Sequence, residues 1–139
     1  MILLDTNIVS ALGDHGSNPS VVNWFETSNP SDFYLCTPVI SEIAYGAERT
    51  RIKNGLTRHH EALNRLIAAF SNRILPLTSE CALTAGRLRA YRVSIGRPVA
   101  APDMMIAAIA LQNNMTLATR NIRDFDGLEL KLVNPFEAA

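Results

Sequence analysis

Ile2-Leu3-Leu4-Asp5-Thr6-Asn7 is the stretch from which the rest of the chain is read. Its short apolar run marks a buried strand. The strand stops at Asp5, and the polar Thr6-Asn7 pair intervenes before Ile8-Val9 opens a new segment. In an open α/β sheet, ligands and catalytic groups gather at the carboxyl ends of the strands, near the point where strand order reverses. A carboxylate placed there is either a cap for the next helix or a functional acid. Further carboxylates at equivalent places would favour the second role.

Working outward, the chain alternates short apolar strands with helices. Further strands are expected over residues 33–36, 73–77, 115–118 and 128–133, the last with alternating Glu129 and Lys131 as suits a sheet edge. A short helix follows Asp5 through Leu12 and closes at Gly13, before a turn-rich loop over 13–17. Asn18-Pro19 reads as an N-cap followed by proline at the first helical position, and Thr37-Pro38 repeats that device. Behind Thr37, Val39, Ile40, Ile43, Ala44 and Ala47 recur at helical spacing, with Glu42 off that stripe but close to a strand end. Leu63, Leu66, Ile67 and Phe70 mark a fourth helix, and Thr78-Ser79-Glu80 caps a fifth whose buried face is Cys81, Ala85, Leu88 and Ile95. Strands alternating with helices predict a parallel, roughly five-stranded sheet in a three-layer α/β/α arrangement, one domain over residues 1–139.

The segment Ala100-Ala101-Pro102-Asp103 leads into eight apolar residues, Met104 to Leu111. So apolar a helix is buried on most sides, and Ala107, Ala108 and Ala110 let neighbouring backbone pack closely. Asp103 in its first turn could merely compensate the helix dipole. Burying a carboxylate beside such a helix nevertheless costs several kcal/mol unless something neutralises it.

Composition bounds the function. At 47% apolar and 19% charged, the chain is an ordinary globular sequence. Eight apolar residues are too few to span a bilayer, and the first residues lack the basic segment of a secretory leader. No membrane association is therefore expected. Cys36 and Cys81 lack metal or redox spacing and read as core residues of a reduced, cytoplasmic protein. The adjacent His59-His60 pair points two ways on a helix and is a poor metal pair. Residues 1–48 carry six acids and no Lys or Arg, whereas residues 49–97 carry ten basic residues against Glu61 and Glu80. That asymmetry suits either solvated helix faces or a phosphate-binding surface beside an acidic centre.

Asp5, Glu42 and Asn121 or Asp124 each follow a strand, and Asp103 opens a helix that feeds another. Several bare carboxylates in one place repel, and hard divalent cations such as Mg²⁺ or Mn²⁺ relieve that repulsion through oxygen ligands. With no HxH or HExxH spacing, zinc is not expected.

The ordered set Asp5-Thr6-Asn7, Ser41-Glu42, Ala101-Pro102-Asp103, Thr119-Arg120-Asn121 and Asp124-Phe125, closed by Asn134-Pro135-Phe136, resembles the PIN-domain nucleases. Within that family it is similar to the VapC-type and FitB-like toxins of bacterial toxin–antitoxin pairs. The resemblance implies a cytoplasmic, Mg²⁺- or Mn²⁺-dependent endoribonuclease, commonly homodimeric, held inactive by a cognate VapB-like or FitA-like antitoxin. It matches Asp5, Glu42 and Asp103 to three acidic positions. Asn121 falls where many relatives carry a fourth Asp, leaving that role to its amide oxygen or to Asp124 one turn later. Thr6, Asn7, Ser41 and Thr119 match polar positions that orient carboxylates and waters. Metal-assisted phosphodiester hydrolysis is then expected, with the ion on Asp5 and Asp103, and Glu42 serving a second ion or the attacking water. Arg49, Arg51, Lys53, Arg87, Arg89 and Arg92 would track the RNA backbone. A haloacid-dehalogenase phosphotransferase would need Asp where Asn7 stands, and a receiver domain would need paired N-terminal acids. A degenerate PIN domain that only binds RNA or protein is the non-enzyme alternative.

Overall fold

The computed structural model describes residues 1–13 and 18–137, so part of the expected loop over 13–17 lies outside the described residues. The chain runs β1 (Ile2–Leu4), α1 (Thr6–Gly13), α2 (Pro19–Glu26), a 3₁₀ turn (Pro30–Asp32), β2 (Phe33–Cys36), α3 (Thr37–Asn54) and α4 (Arg58–Ala69). It continues β3 (Ile74–Leu75), α5 (Ser79–Ser94), α6 (Ala101–Gln112), β4 (Thr116–Ala118), α7 (Ile122–Phe125) and β5 (Leu132–Val133). The strands form one parallel sheet in the order β3-β2-β1-β4-β5. Central β1 pairs Ile2 with Phe33 on one side and Leu4 with Ala118 on the other. Chain order therefore reverses between β1 and β4, and the crevice at their carboxyl ends is the sheet's switch point.

The fold is the expected three-layer α/β/α arrangement, and its core explains the sequence pattern. Leu3, Leu35 and Leu117 are fully buried because helices cover both faces of the sheet. Phe33 stacks on Phe25, with ring centroids 4.6 Å apart, and also meets Trp24 at 5.1 Å, fixing α2 against β2. Helix α6 is buried from Ile106 through Ala110 and packs chiefly on α5, with α3 and α7 also against it. Its alanines permit that close approach. Cys36 and Cys81 are free and buried, as their apolar settings suggested.

Several local expectations are corrected. Thr37 is the first residue of α3 rather than its cap; Cys36 holds the cap position, with no side-chain capping bond. The Thr37 hydroxyl instead accepts the Leu77 N–H at 3.0 Å, joining the exit of β3 to the start of α3. That bond, together with Pro76, which has no N–H, ends β3 at Leu75 rather than residue 77. Strand β5 starts only at Leu132, because Leu128 turns into the core and Glu129 takes a left-handed φ of 58°. It is an edge strand as expected, although Glu129 and Lys131, the charges that suggested this, precede it. Ile95, expected on the buried face of α5, is 44% exposed at the helix end, and Arg92 occupies the buried side in its place.

Candidate active site at the switch point

Asp5 follows β1 where that strand parts from β4, and its own N–H bonds the Ala118 carbonyl at 3.0 Å. Its side chain is 3% exposed. One carboxylate oxygen accepts the Thr6 N–H at 2.8 Å; the other accepts the Thr119 hydroxyl at 2.7 Å and the Asn7 amide at 3.3 Å. Thr119, fully buried at the end of β4, thus ties the two switch-point strands together through the acid. Its hydroxyl oxygen also accepts the Asn121 N–H at 3.0 Å. Asn7 closes the same ring from the other side, its amide oxygen accepting the Arg120 N–H at 3.1 Å. Burial pushes the Asp5 carboxyl above its ordinary range; the hydrogen bonds from Thr119, Thr6 and Asn7 oppose that shift, and the Glu42 charge adds to it.

Glu42 projects from the second turn of α3, half-buried, and accepts the Thr6 hydroxyl at 2.6 Å. One residue of α1 therefore links two acids: the Thr6 main chain holds Asp5 and its side chain holds Glu42. Asp103, in the first turn of α6, is half-buried, and burial foremost pushes its carboxyl up to about 6. The charges of Asp5, Asp124 and Glu42 raise it further, in that order. Asp124, on α7, is half-buried and lies within the electrostatic reach of Asp103.

The structure thus gathers Asp5, Glu42, Asp103 and Asp124 into one field, with Thr6, Asn7 and Thr119 as the hydrogen-bonding scaffold. Among the described residues no Lys, Arg or His forms an ion pair with any of these four acids. Ser41 is exposed and takes no part in the hydrogen bonds that hold them. The Asn121 side chain is exposed; only its main chain joins the ring. Arg49, Arg51, Lys53, Arg87 and Arg89 lie on exposed faces of α3 and α5, Arg51 paired with Glu48 and Arg49 lying over the Tyr45 ring at 5.6 Å. Arg92 is the exception, because its guanidinium is buried and each of its three nitrogens donates to a main-chain carbonyl, so it is turned away from the surface that RNA would meet. His60 meets Glu48 at 3.3 Å, while His59 lines the cavity that Glu42 and Thr6 also line.

Would these residues suit a metal? All four acids are hard oxygen donors, and among the described residues no ion pair offsets their mutual repulsion, which is the donor chemistry that Mg²⁺ or Mn²⁺ accepts. Among the described residues, no three acidic, His or Cys side chains already converge closely enough to grip an ion. The set fits by charge and donor type.

Beside Glu42 and Thr6 opens a largely apolar cavity of about 600 Å³, walled by α1, α3 and α4 through residues such as Val9, Ile43, Leu63 and Phe70. Sequence reasoning did not find it, nor the Asn7–Arg120 bond. Both depend on packing between elements distant in the chain and leave no mark on local periodicity.

Comparison with known proteins bears on the family and the fold. Residues 2–129 match the family model described as PIN domain. Toxin FitB of Neisseria gonorrhoeae is 33% identical, covering 98% of this chain and 99% of its own. The VapC ribonuclease Y4jK of Sinorhizobium fredii is 26% identical over the full length of both chains. The crystal structure of FitAcB from Neisseria gonorrhoeae superposes with a TM-score of 0.80 at 28% identity, covering 99% of each chain.

Proposed function

The chain belongs to the PIN-domain family, and on that premise we propose that it is a divalent-metal-dependent endoribonuclease, the toxin of a type II toxin–antitoxin pair. One observation carries the reading: four carboxylates from four separate parts of the chain share a field at the switch point, and among the described residues no Lys, Arg or His pairs with any of them. Asp5, Glu42 and Asp103 would hold Mg²⁺ or Mn²⁺. Asp124 would take the fourth position, supported by its charge on Asp103, while the Asn121 side chain stays exposed. When bound, the ion supplies Lewis acidity and neutralises charge on the scissile phosphodiester.

The chain's own groups do the rest. Thr119, Asn7 and the Thr6 N–H fix the orientation of Asp5, so no rotamer search precedes substrate engagement. Thr6 restrains Glu42 at the mouth of the cavity, where its free oxygen can take a proton from the attacking water. Arg49, Arg51 and Lys53 at the end of α3, with Arg87 and Arg89 on α5, supply the cationic surface for the RNA backbone. Among the described residues no helix is long and apolar enough to cross a membrane, in keeping with a protein that meets RNA in the cytoplasm. A FitA-like or VapB-like antitoxin segment seated in the apolar cavity beside Glu42 would block the centre, and homodimerisation is expected of this type of toxin.

The test is cleavage of a mixed cellular RNA pool by antitoxin-free wild-type and Asp103→Asn protein, with Mg²⁺ and with chelator. Discrete cuts requiring both the metal and Asp103 are expected. Well-folded protein that binds RNA yet cuts nothing under any metal would refute the nuclease and leave a binding module.

A further inference from the structure

Arg92 is 2% exposed, on the inner side of the last turn of α5. Its guanidinium has no carboxylate partner among the described residues. Instead Nε donates to the Arg97 carbonyl at 3.1 Å, Nη1 to the Asp126 carbonyl at 2.9 Å and Nη2 to the Arg123 carbonyl at 3.2 Å. Two of these carbonyls belong to α7 and its C-cap. Arg97 adds a bond of 3.2 Å from Nη2 to the same Arg123 carbonyl.

A helix of four residues cannot hold itself together, because nucleation leaves most of its polar groups unpaired. Something else must fix α7. Phe125, almost fully buried, anchors its apolar side. Arg92 anchors the opposite requirement, the carbonyls at its C-terminal end, where a cation also complements the local dipole. Charge-assisted bonds of this kind are roughly twice as strong as neutral ones. The choice of carbonyls has an electrostatic consequence as well. A guanidinium that paired with Asp124 would cancel its charge; one satisfied by main chain fixes the segment without engaging that carboxylate.

We infer that Arg92 is a positioning residue for the acidic centre, its buried guanidinium clamping α7 so that Asp124 is held at the switch point beside Asp103. This rests on the nuclease reading above and adds to it a residue remote from the substrate. Helix α7 packs directly on α6, the helix whose first turn carries Asp103, which agrees with the placement.

A double-mutant cycle tests it, using Arg92→Lys, which keeps the charge but loses the fork geometry, and Asp124→Asn. The readouts are kcat and KM for RNA cleavage, and Mn²⁺ affinity of the unloaded protein by calorimetry. Arg92→Lys should lower kcat by about ten- to a hundredfold with KM little changed. Once Asp124 is Asn, the same change should cost less than about twofold, because the residue acts through Asp124. Mn²⁺ affinity should follow the same non-additive pattern. Phe33→Leu, a core change on β2 away from α7, should keep its kcat at a comparable loss of melting temperature. Multiplicative losses in the cycle, wild-type kcat and Mn²⁺ affinity in Arg92→Lys, or an equal kcat loss in Phe33→Leu would each overturn the clamp. Should the wild type cut no RNA at all, the nuclease reading fails, and the Mn²⁺ cycle alone still decides the role of Arg92.

Discussion

At the scale of single residues the centre is under electrostatic load, and Asp103 carries the clearest share. Its carboxyl titrates near 6 in the folded chain, against 3.8 for the free group. The folded state therefore binds this proton more tightly than the unfolded state does. The resulting stability is fully present below about pH 4 and is lost as pH rises through about 6. Metal-free protein should accordingly melt at a lower temperature at pH 7 than its other titrating groups would dictate. Asp103→Asn should stabilise the metal-free protein at pH 7 by about 1 kcal/mol, after discounting the shift for a half-exposed group. Adding Mg²⁺ at pH 7 should raise the melting temperature of wild type and leave Asp103→Asn unmoved; thermal scans at about pH 4 and pH 7 check each part. Thr119 sets a second test. Thr119→Val keeps the shape but removes the donor to a buried carboxylate, so it should cost about 1–3 kcal/mol and lower kcat, measured by denaturant melts and RNA cleavage.

At the scale of elements, each acid reaches the centre because an element begins or ends there. Strand β1 stops at Asp5, α3 starts five residues before Glu42, α6 begins two residues before Asp103, and α7 brings Asp124. Helix α6 matters most, being the buried element that α5, α3 and α7 all touch. Ile106→Ala, at a fully buried position of α6, should destabilise the fold by about 2–5 kcal/mol. The reverse change is equally telling. Ala108→Leu adds bulk where no side chain has room, and should cost about 1–3 kcal/mol in denaturant melts while shifting Asp103 and depressing metal affinity. Neither substitution touches RNA, so an unchanged melting curve in either would contradict the packing described for α6.

For the whole molecule, a net charge of zero conceals a division of labour: acids at the switch point, cations at the far end of α3 and along α5. RNA affinity should fall steeply with salt despite the neutral balance, since phosphate contacts release counterions. Replacing both Arg49 and Lys53 by Gln should flatten that salt dependence, by a slope of about 1.4 for single-stranded RNA, measured as log affinity against log salt. The parallel α/β architecture, the buried helix α6 and the order of the acids were open to reading from the linear chain. Their causes are local: unbroken apolar runs, proline at helix starts, and polar residues directly after strands. The resemblance to PIN-domain nucleases left the fourth acidic position between Asn121 and Asp124. What the linear chain could not reveal was which polar groups are spent inside the protein. Arg92 and its neighbours Arg87 and Arg89 are alike in sequence, yet Arg92 alone turns inward, because α7 supplies carbonyls 31 and 34 residues away. Ser41 and Thr119 are equally plausible scaffold residues on paper, but only the latter lies where β4 abuts β1 and can reach Asp5. Local sequence determines where a strand or helix starts and stops, since those preferences act over a few residues. Only the folded chain decides which donors and acceptors find each other, because that depends on elements distant in sequence meeting at one sheet edge.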